Sequence, residues 1–409
     1  MNNTPELLSP AGDLDKMRFG IAYGADAVYM AGTRFGMRAA ATNFDDNALR
    51  EGIAYAHAHG VKCYITVNIM PSNRDLPALP AYLELLQDAG ADALIIADVG
   101  VLRMARRYAP KVPVHISTQT SILNHEAANY WADEGAERIV LARELSLEEI
   151  AEIRAKTPKE LEIEAFVHGA MCISYSGRCL ISQYMTGRDA NHGACAQPCR
   201  WNYSLMEEKR PGQFFPVEED GRGTYLYNSK DMCMIEHVPE LIKAGITSFK
   251  IEGRNKTAYY AACVTGAYRA AIDTYKKDPE NFVLPQFCRD EVNKVSHREY
   301  YTGFYFGNQE NGQHYGDSQY IREYEVVGMP VECDDSGKAV FALKNRFFDG
   351  EELELIQPGQ APYVFRAENV TDDEGTKREL FNVPQMRVHF AFPFKVSEWA
   401  ILRKVKERP

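Results

Sequence analysis

Four closely set cysteines are the residues of this sequence with the plainest chemistry. Cys172, Cys179, Cys195 and Cys199 stand in a C-x6-C-x15-C-x3-C array inside EIEAFVHGAMCISYSGRCLISQYMTGRDANHGACAQPCRW, residues 162–201. They are four of the chain's nine cysteines, gathered within 28 residues. In an oxidising compartment such a cluster would pair into disulfides. The sequence opens MNNTPELLSPAG, without a charged-then-apolar leader, so a reduced cytoplasmic setting and thiolate ligation of a metal are expected. Structural zinc usually takes tighter knuckles in two pairs. Soft thiolates suit zinc and iron-sulfur centres alike, and the wide first gap favours the cluster. Cys63, Cys263, Cys288 and Cys333 stand singly and read as small core hydrophobes, while Cys233, in NSKDMCM, fits either role.

Such a site needs a rigid frame, and the first 250 residues supply a repeating one. A helix-like segment, then Gly-Ala-acid or a close variant, then an apolar run recurs as YGADAVYMAG from Tyr23, AGADALIIAD from Ala89, EGAERIVLA from Glu134 and AGITSFKIEG from Ala244. Each Gly suits the left-handed end of a helix, and each apolar run suits a strand buried on both faces. Candidate strands are 6–10, 26–31, 62–69, 92–98, 113–118, 138–143, 162–169 and 248–254, with helical patterns between them. Eight βα repeats predict an α/β fold, a TIM-like (β/α)8 barrel, whose working residues sit at the C-terminal ends of the strands. The Cys-rich region, 168–201, follows the seventh strand and is expected as an insertion at the barrel mouth.

At 409 residues, with 45% hydrophobic and 25% charged side chains, the composition is that of an ordinary globular protein of one large and one small domain. We assign 1–285 to the barrel, 286–317 to a linker rich in Tyr and Gly, and 318–409 to a small C-terminal β-barrel built from six short alternating segments. The last helix of the large barrel should end near Asp278, where Pro279 stops it. Apolar runs are too short to span a bilayer, so no membrane partner is expected. A formal net charge of −11 argues against a general nucleic-acid coat protein but permits a local basic patch for one folded RNA. The basic end, Arg403, Lys404, Lys406 and Arg408, is one candidate patch, with a solvated tail as its alternative.

Strand ends bring further candidates to the mouth: Asn68, Asp98, Ser117, Gln119, Arg143, Glu144, His168, Lys250, Glu252 and Arg254. His168, four residues before Cys172, and Glu252 are the acid/base candidates. Lys250 and Arg254 bracket Glu252 in KIEGR, and with Arg178 they could clamp an anionic substrate, or instead belong to an ion-pair network closing the barrel. GRDANHG, 187–193, has the polar character of a loop over a site. No HExxH, GxSxG or Walker loop is present, which removes textual support for the commonest hydrolase and nucleotide-binding mechanisms.

The run EAFVHGAMCISYSGRCLIS, with LSPAG, GADAVY and SFKIEGR, closely resembles the signature of the collagenase-like peptidases, peptidase family U thirty-two, from Leu7 to Arg254. The C-terminal unit fits one branch of that family. Studied members of the family resemble iron-sulfur proteins that hydroxylate RNA bases or quinone precursors without oxygen. The combination of FVHGAMC, GRDANHGACAQPCRW and YLYNSKDM is similar to the branch that makes 5-hydroxyuridine at the wobble position of tRNA in a prephenate-dependent way. That resemblance implies a 4Fe-4S cluster on Cys172, Cys179, Cys195 and Cys199, with Cys233 left in the core, and tRNA and prephenate as partners. Tyr175, Tyr184 and Trp201 are then available to stack on an extruded uridine. A collagenase-like peptidase, and a non-catalytic RNA-binding or assembly factor with structural zinc, are the rival expectations.

Overall fold

The structure, a computed structural model, describes residues 4–37, 42–172, 174–201, 229–307 and 320–406. Each expected repeat unit forms. Strands β1 (Glu6–Pro10), β2 (Ala27–Met30), β3 (Lys62–Val67), β4 (Ala93–Ile96), β5 (Val114–Ile116), β6 (Arg138–Val140) and β7 (Glu162–Ala170) lie parallel in sequence order. After β7 come β8 (Asp231–Cys233) and β9 (Ser248–Ile251); β9 pairs in parallel with both β7 and β1 and closes an eight-stranded ring. β8 runs antiparallel to the overshooting end of β7, matching His168 with Cys233 and Ala170 with Asp231, and β10 (Tyr300–Tyr301) adds to its edge.

Helices α1 (Leu14–Ala22), α2 (Asp46–Ala58), α3 (Leu79–Asp88), α4 (Val99–Tyr108), α5 (His125–Asp133) and α6 (Leu147–Ala155) follow the first six strands. Short polar residues start them: Asp13, Asp45, Asp98 and Asn124 accept N-terminal amides, and Ser146 with Glu149 forms a reciprocal capping box. The repeated glycines end them, Gly24, Gly90, Gly135 and Gly245 all taking φ between 74° and 99°. Helix α7 (Ile181–Thr186) lies within the cysteine stretch, and α8 (Val238–Lys243) precedes β9. Helix α9 (Ala258–Lys277) ends at Asp278, as Pro279 requires, and α10 (Gln286–Asn293) follows. The stretch expected as a linker therefore begins as a helix, and Val292, Val295 and Tyr305 join the barrel's outer core; its remainder, 308–317, lies outside the described residues. Tyr300, Tyr301, Phe304 and Tyr305 of the stretch that reads as a linker pack on the barrel's outer core.

The barrel interior is charged where such lumens usually hold branched apolar residues. Arg138 Nη1 donates to Glu6 at 2.6 Å and to Glu164 at 3.0 Å, its Nε donates to Glu162 at 2.7 Å, and Lys250 Nζ donates to Glu164 at 2.6 Å. Burial alone would raise the Glu6 carboxyl, but Arg138 holds it below its usual value. A small apolar layer of Leu8, Ala27, Tyr29, Tyr64, Ala93 and Ile95 fills the rest.

Beyond α10 the six expected segments, with one further short strand, form a seven-stranded antiparallel sheet curled over its own phenylalanine-rich core. Its strands are β11 (Tyr324–Cys333), β12 (Lys338–Leu343), β14 (Glu352–Ile356), β15 (Tyr363–Arg366), β16 (Thr371–Asp372), β18 (Arg387–Ala391) and β19 (Ile401–Val405), in the order β15-β14-β19-β11-β12-β18-β16. β13 (Phe347–Phe348) and β17 (Leu380–Phe381) make a separate pair. Arg403 of β19, fully buried, bonds Glu291 of α10 and Glu354 of β14, and also Tyr259 of α9 at 3.1 Å. Lys404, 2% exposed, pairs with Glu351 at 2.9 Å. These two cations, expected on a basic tail, are thus structural; Lys406 is exposed, and Arg408 lies outside the described residues. Among the described residues no helix is long and apolar enough to cross a membrane.

Arg403→Ala would strand Glu291 and Glu354 in this seam. The expected destabilisation is about 3–5 kcal/mol, read as a lower urea midpoint with Trp399 fluorescence as the nearby probe.

Candidate active site at the barrel mouth

Every second residue of a barrel strand points into the lumen. Near the C-terminal ends of the strands, Tyr29, Thr66, Ile95, Ser117, Val140, Phe166 and Lys250 take those inward positions and line a cavity of about 150 Å³. The cysteine stretch roofs it. Cys172, Cys179, Cys195 and Cys199 all line the same cavity, and all nine cysteines of the chain are free thiols.

Two devices place that roof. β7 runs nine residues, past the end of the barrel, and at Gly169 (φ 105°) it passes so close to β9 that a Cβ would sit 2.4 Å from the Glu252 carbonyl oxygen. Only glycine fits there. Arg143, at the end of β6, donates to Ala170 O at 2.8 Å and Ser176 Oγ at 3.1 Å, and its guanidinium lies 4.7 Å from the Phe166 ring centre. The GRDANHG loop lies over the cavity as expected, with Ala190 and Asn191 in its wall and Asn191 O accepting from Met70 N–H at 3.2 Å.

The thiols' surroundings suit ligation in their chemistry. Arg143 Nη2 stands 3.6 Å from Cys172 Sγ, and Gln197 N–H donates to Cys195 Sγ at 3.4 Å. The four sulfurs share the wall without converging: among the described residues no three His, Cys, Asp or Glu side chains stand at metal-holding spacing. Cys233 is not in the cavity wall, and burial pushes its thiol up to about 12.

Of the other candidates, Asn68, Ser117, Gln119, Glu252 and Arg254 also line the cavity. Asn68 Nδ2 donates to Ser117 Oγ at 3.4 Å, and Arg254 Nη1 donates to Met37 O at 2.8 Å. Lys250 reaches the cavity but is already bonded to Glu164, so it belongs to the barrel network as well as to the mouth. Asp98 caps α4, Glu144 is outside the wall, and Arg178 is exposed and outside it too. Tyr175 lines the cavity; Tyr184 and Trp201 face solvent at 89% and 46% exposure.

His168 is a correction to the acid/base expectation. It lies behind the wall, 1% exposed, among Tyr260, Tyr268 and Tyr300, with Tyr300 OH 3.3 Å from Nε2. Burial, and then the nearby His297 and Lys256 charges, lower its pKa to about 3. The side chain that sequence reasoning missed is Thr66. It is buried at 4% exposure, and among the described residues its hydroxyl, like the Gln119 Nε2 amide, has no protein hydrogen-bond partner. A lone Thr between apolar residues in CYITV, two before Asn68, was the available signal.

Two family models match the chain: Peptidase family U32 over residues 12–315, and Peptidase family U32 C-terminal domain over residues 322–403. The chain belongs to peptidase family U32. Within it, the chain is similar to tRNA hydroxylation protein P1 of Bacillus subtilis, 38% identical over 98% of this chain and 95% of that one. It is also 38% identical to tRNA hydroxylation protein P of Escherichia coli, over 91% of this chain and 90% of its relative. An Escherichia coli 23S rRNA 5-hydroxycytidine synthase is 40% identical over 80% of this chain but 48% of its own length. Relatives named for tRNA hydroxylation and for rRNA hydroxycytidine synthesis therefore align with 80–98% of this chain at 38–40% identity.

His168 makes a pH prediction. An unfolded chain takes up a proton near the usual histidine value, and the folded chain refuses it until about pH 3, so stability falls as pH drops through that window. His168→Gln should lessen that dependence by up to about 1.4 kcal/mol per pH unit, measured by urea unfolding at a series of pH values.

Proposed function

We propose that this chain hydroxylates the wobble uridine of tRNA to 5-hydroxyuridine, in a prephenate-dependent reaction that uses a 4Fe-4S cluster held by Cys172, Cys179, Cys195 and Cys199. The observation that carries this reading is one cavity that combines four free thiols with neutral hydrogen-bonding groups and cations at the C-terminal ends of barrel strands. The names of its relatives support the RNA side of it.

Thr66, Asn68, Ser117 and Gln119 supply both donors and acceptors on the cavity wall. The imide edge of a uracil presents the same mixture, and among the described residues the Thr66 hydroxyl and the Gln119 Nε2 have no protein hydrogen-bond partner, while Gln119 Oε1 accepts from Ser117 Oγ. A base reaching them must leave its stack, and Tyr175 is placed to stack on it. Prephenate carries two carboxylates. Lys250 uses one contact on Glu164 and keeps further N–H donors, while Arg254 stands in the same wall. When bound, a four-thiolate cluster supplies one-electron transfer close to the base. Arg143 keeps Cys172 in place for it through its bonds to Ala170 and Ser176.

A deletion strain tests the reading. Nucleoside mass spectrometry of its tRNA should show loss of 5-hydroxyuridine and its derivatives, restored by the wild-type chain and not by Cys172→Ala. Unchanged nucleosides in every strain would sink the proposal and bring the peptidase assay forward. Thr66→Val and Gln119→Leu separate recognition from folding. Thr66→Val removes a buried hydroxyl without a partner, so stability should hold or rise by about 1 kcal/mol. Gln119→Leu also removes the Oε1 that accepts from Ser117 Oγ and should cost up to about 1 kcal/mol. In both, tRNA hydroxylation falls about 10- to 100-fold, a loss of roughly 1.4–2.7 kcal/mol.

A further inference from the structure

A second groove adjoins the cysteine cavity and runs along the seam between the barrel and the C-terminal sheet. Gln197 and Glu252 line both. From there the wall passes Lys256 and Tyr320, then Arg322, and ends on Lys344 and Lys406 of the sheet. Its far end continues to Arg346 and Asn382. Five cations thus meet two carboxylates, Glu252 and Glu325, in a chain whose net charge is −11. Glu325 lies 3.8 Å from the buried Lys404, and among the described residues Arg322, Lys344 and Lys406 are in no ion pair. Tyr320 fixes the middle of the groove, with Lys256 Nζ 4.4 Å and the Arg322 guanidinium 5.7 Å from its ring centre.

We propose that this groove holds the phosphate backbone of the RNA whose base enters the cysteine cavity, an assignment that rests on the RNA reading of that cavity. Cations in a row recognise repeated negative charges and not one small anion, and the wall shared with the cavity places a backbone where an extruded base would reach Thr66 and Gln119. The seam that builds the groove is held by the buried Arg403, Glu291 and Glu354, so the two walls are fixed relative to each other.

The test is equilibrium binding of an unmodified tRNA transcript to the full chain over a series of salt concentrations. K344E/K406E should weaken binding at least about 10-fold at about 0.15 M salt and reduce the slope of log K against log salt by about 1.5–2. K344Q/K406Q should fall between that variant and wild type. The control, K276E/K277E, lies at the opposite end of α9 from the groove, a 20-residue helix about 30 Å long, and should change affinity less than about twofold. Equal losses in control and groove variants, or wild-type binding by K344E/K406E, would overturn the proposal. So would displacement of the tRNA by polyglutamate at equal charge. If the deletion strain keeps its nucleosides while the salt slopes behave as expected, the hydroxylation reading fails and the groove stands. If hydroxylation is intact and K344E/K406E binds like wild type, the groove alone fails.

Discussion

Arg138, Glu164 and Lys250 lie inside the barrel with almost no contact with water, and each charge removed from water costs several kcal/mol unless it is paired. Their partners are spread over β1, β6, β7 and β9, the strands on either side of the junction where the ring closes. Closing the barrel and satisfying these charges are therefore one event. Open the junction between β7 and β9, and Lys250 loses Glu164. The network also sets the chemistry above it, because Lys250 is held at the cavity floor with its ammonium 4.5 Å from the Tyr29 ring centre.

On that base the long seventh strand does the remaining positioning. It leaves the ring, passes β9 at the glycine that only a missing side chain allows, and hands the chain to the cysteine stretch. Arg143 ties the first part of that stretch to the barrel rim, and Asn191 ties a later part to Met70. A loop with little regular structure of its own is thereby hung over the mouth at several points. The wall it completes mixes soft sulfur, neutral amides and cations.

The C-terminal sheet is more than an appendage on this view. Arg403 joins it to α9 and α10, and Trp399 packs edge-on against Phe19 at 5.4 Å. The sheet's exposed cations line a groove that shares Gln197 and Glu252 with the cavity, so an acidic molecule offers one locally basic surface beside it. Fixed geometry at the seam matters because a polyanion gains from several cations only when they hold their spacing.

The eight barrel strands, the helix-ending glycines, the stop at Pro279 and the four-cysteine array were all legible in the sequence, because each depends on neighbours a few residues away. Periodicity, a cap and a ligand spacing are local quantities. The placement of those cysteines at the mouth followed from the position of the strand that precedes them. The fates of the charged residues were not legible. Lys250 meets Glu164 across 86 positions and Arg403 meets Glu291 across 112, and no local pattern separates a buried paired cation from a solvated one. For the same reason His168 read as a candidate acid or base and Thr66 went unnoticed. Only the closed ring, by fixing which strand faces which, turned the first into a buried neutral side chain and the second into part of the cavity wall.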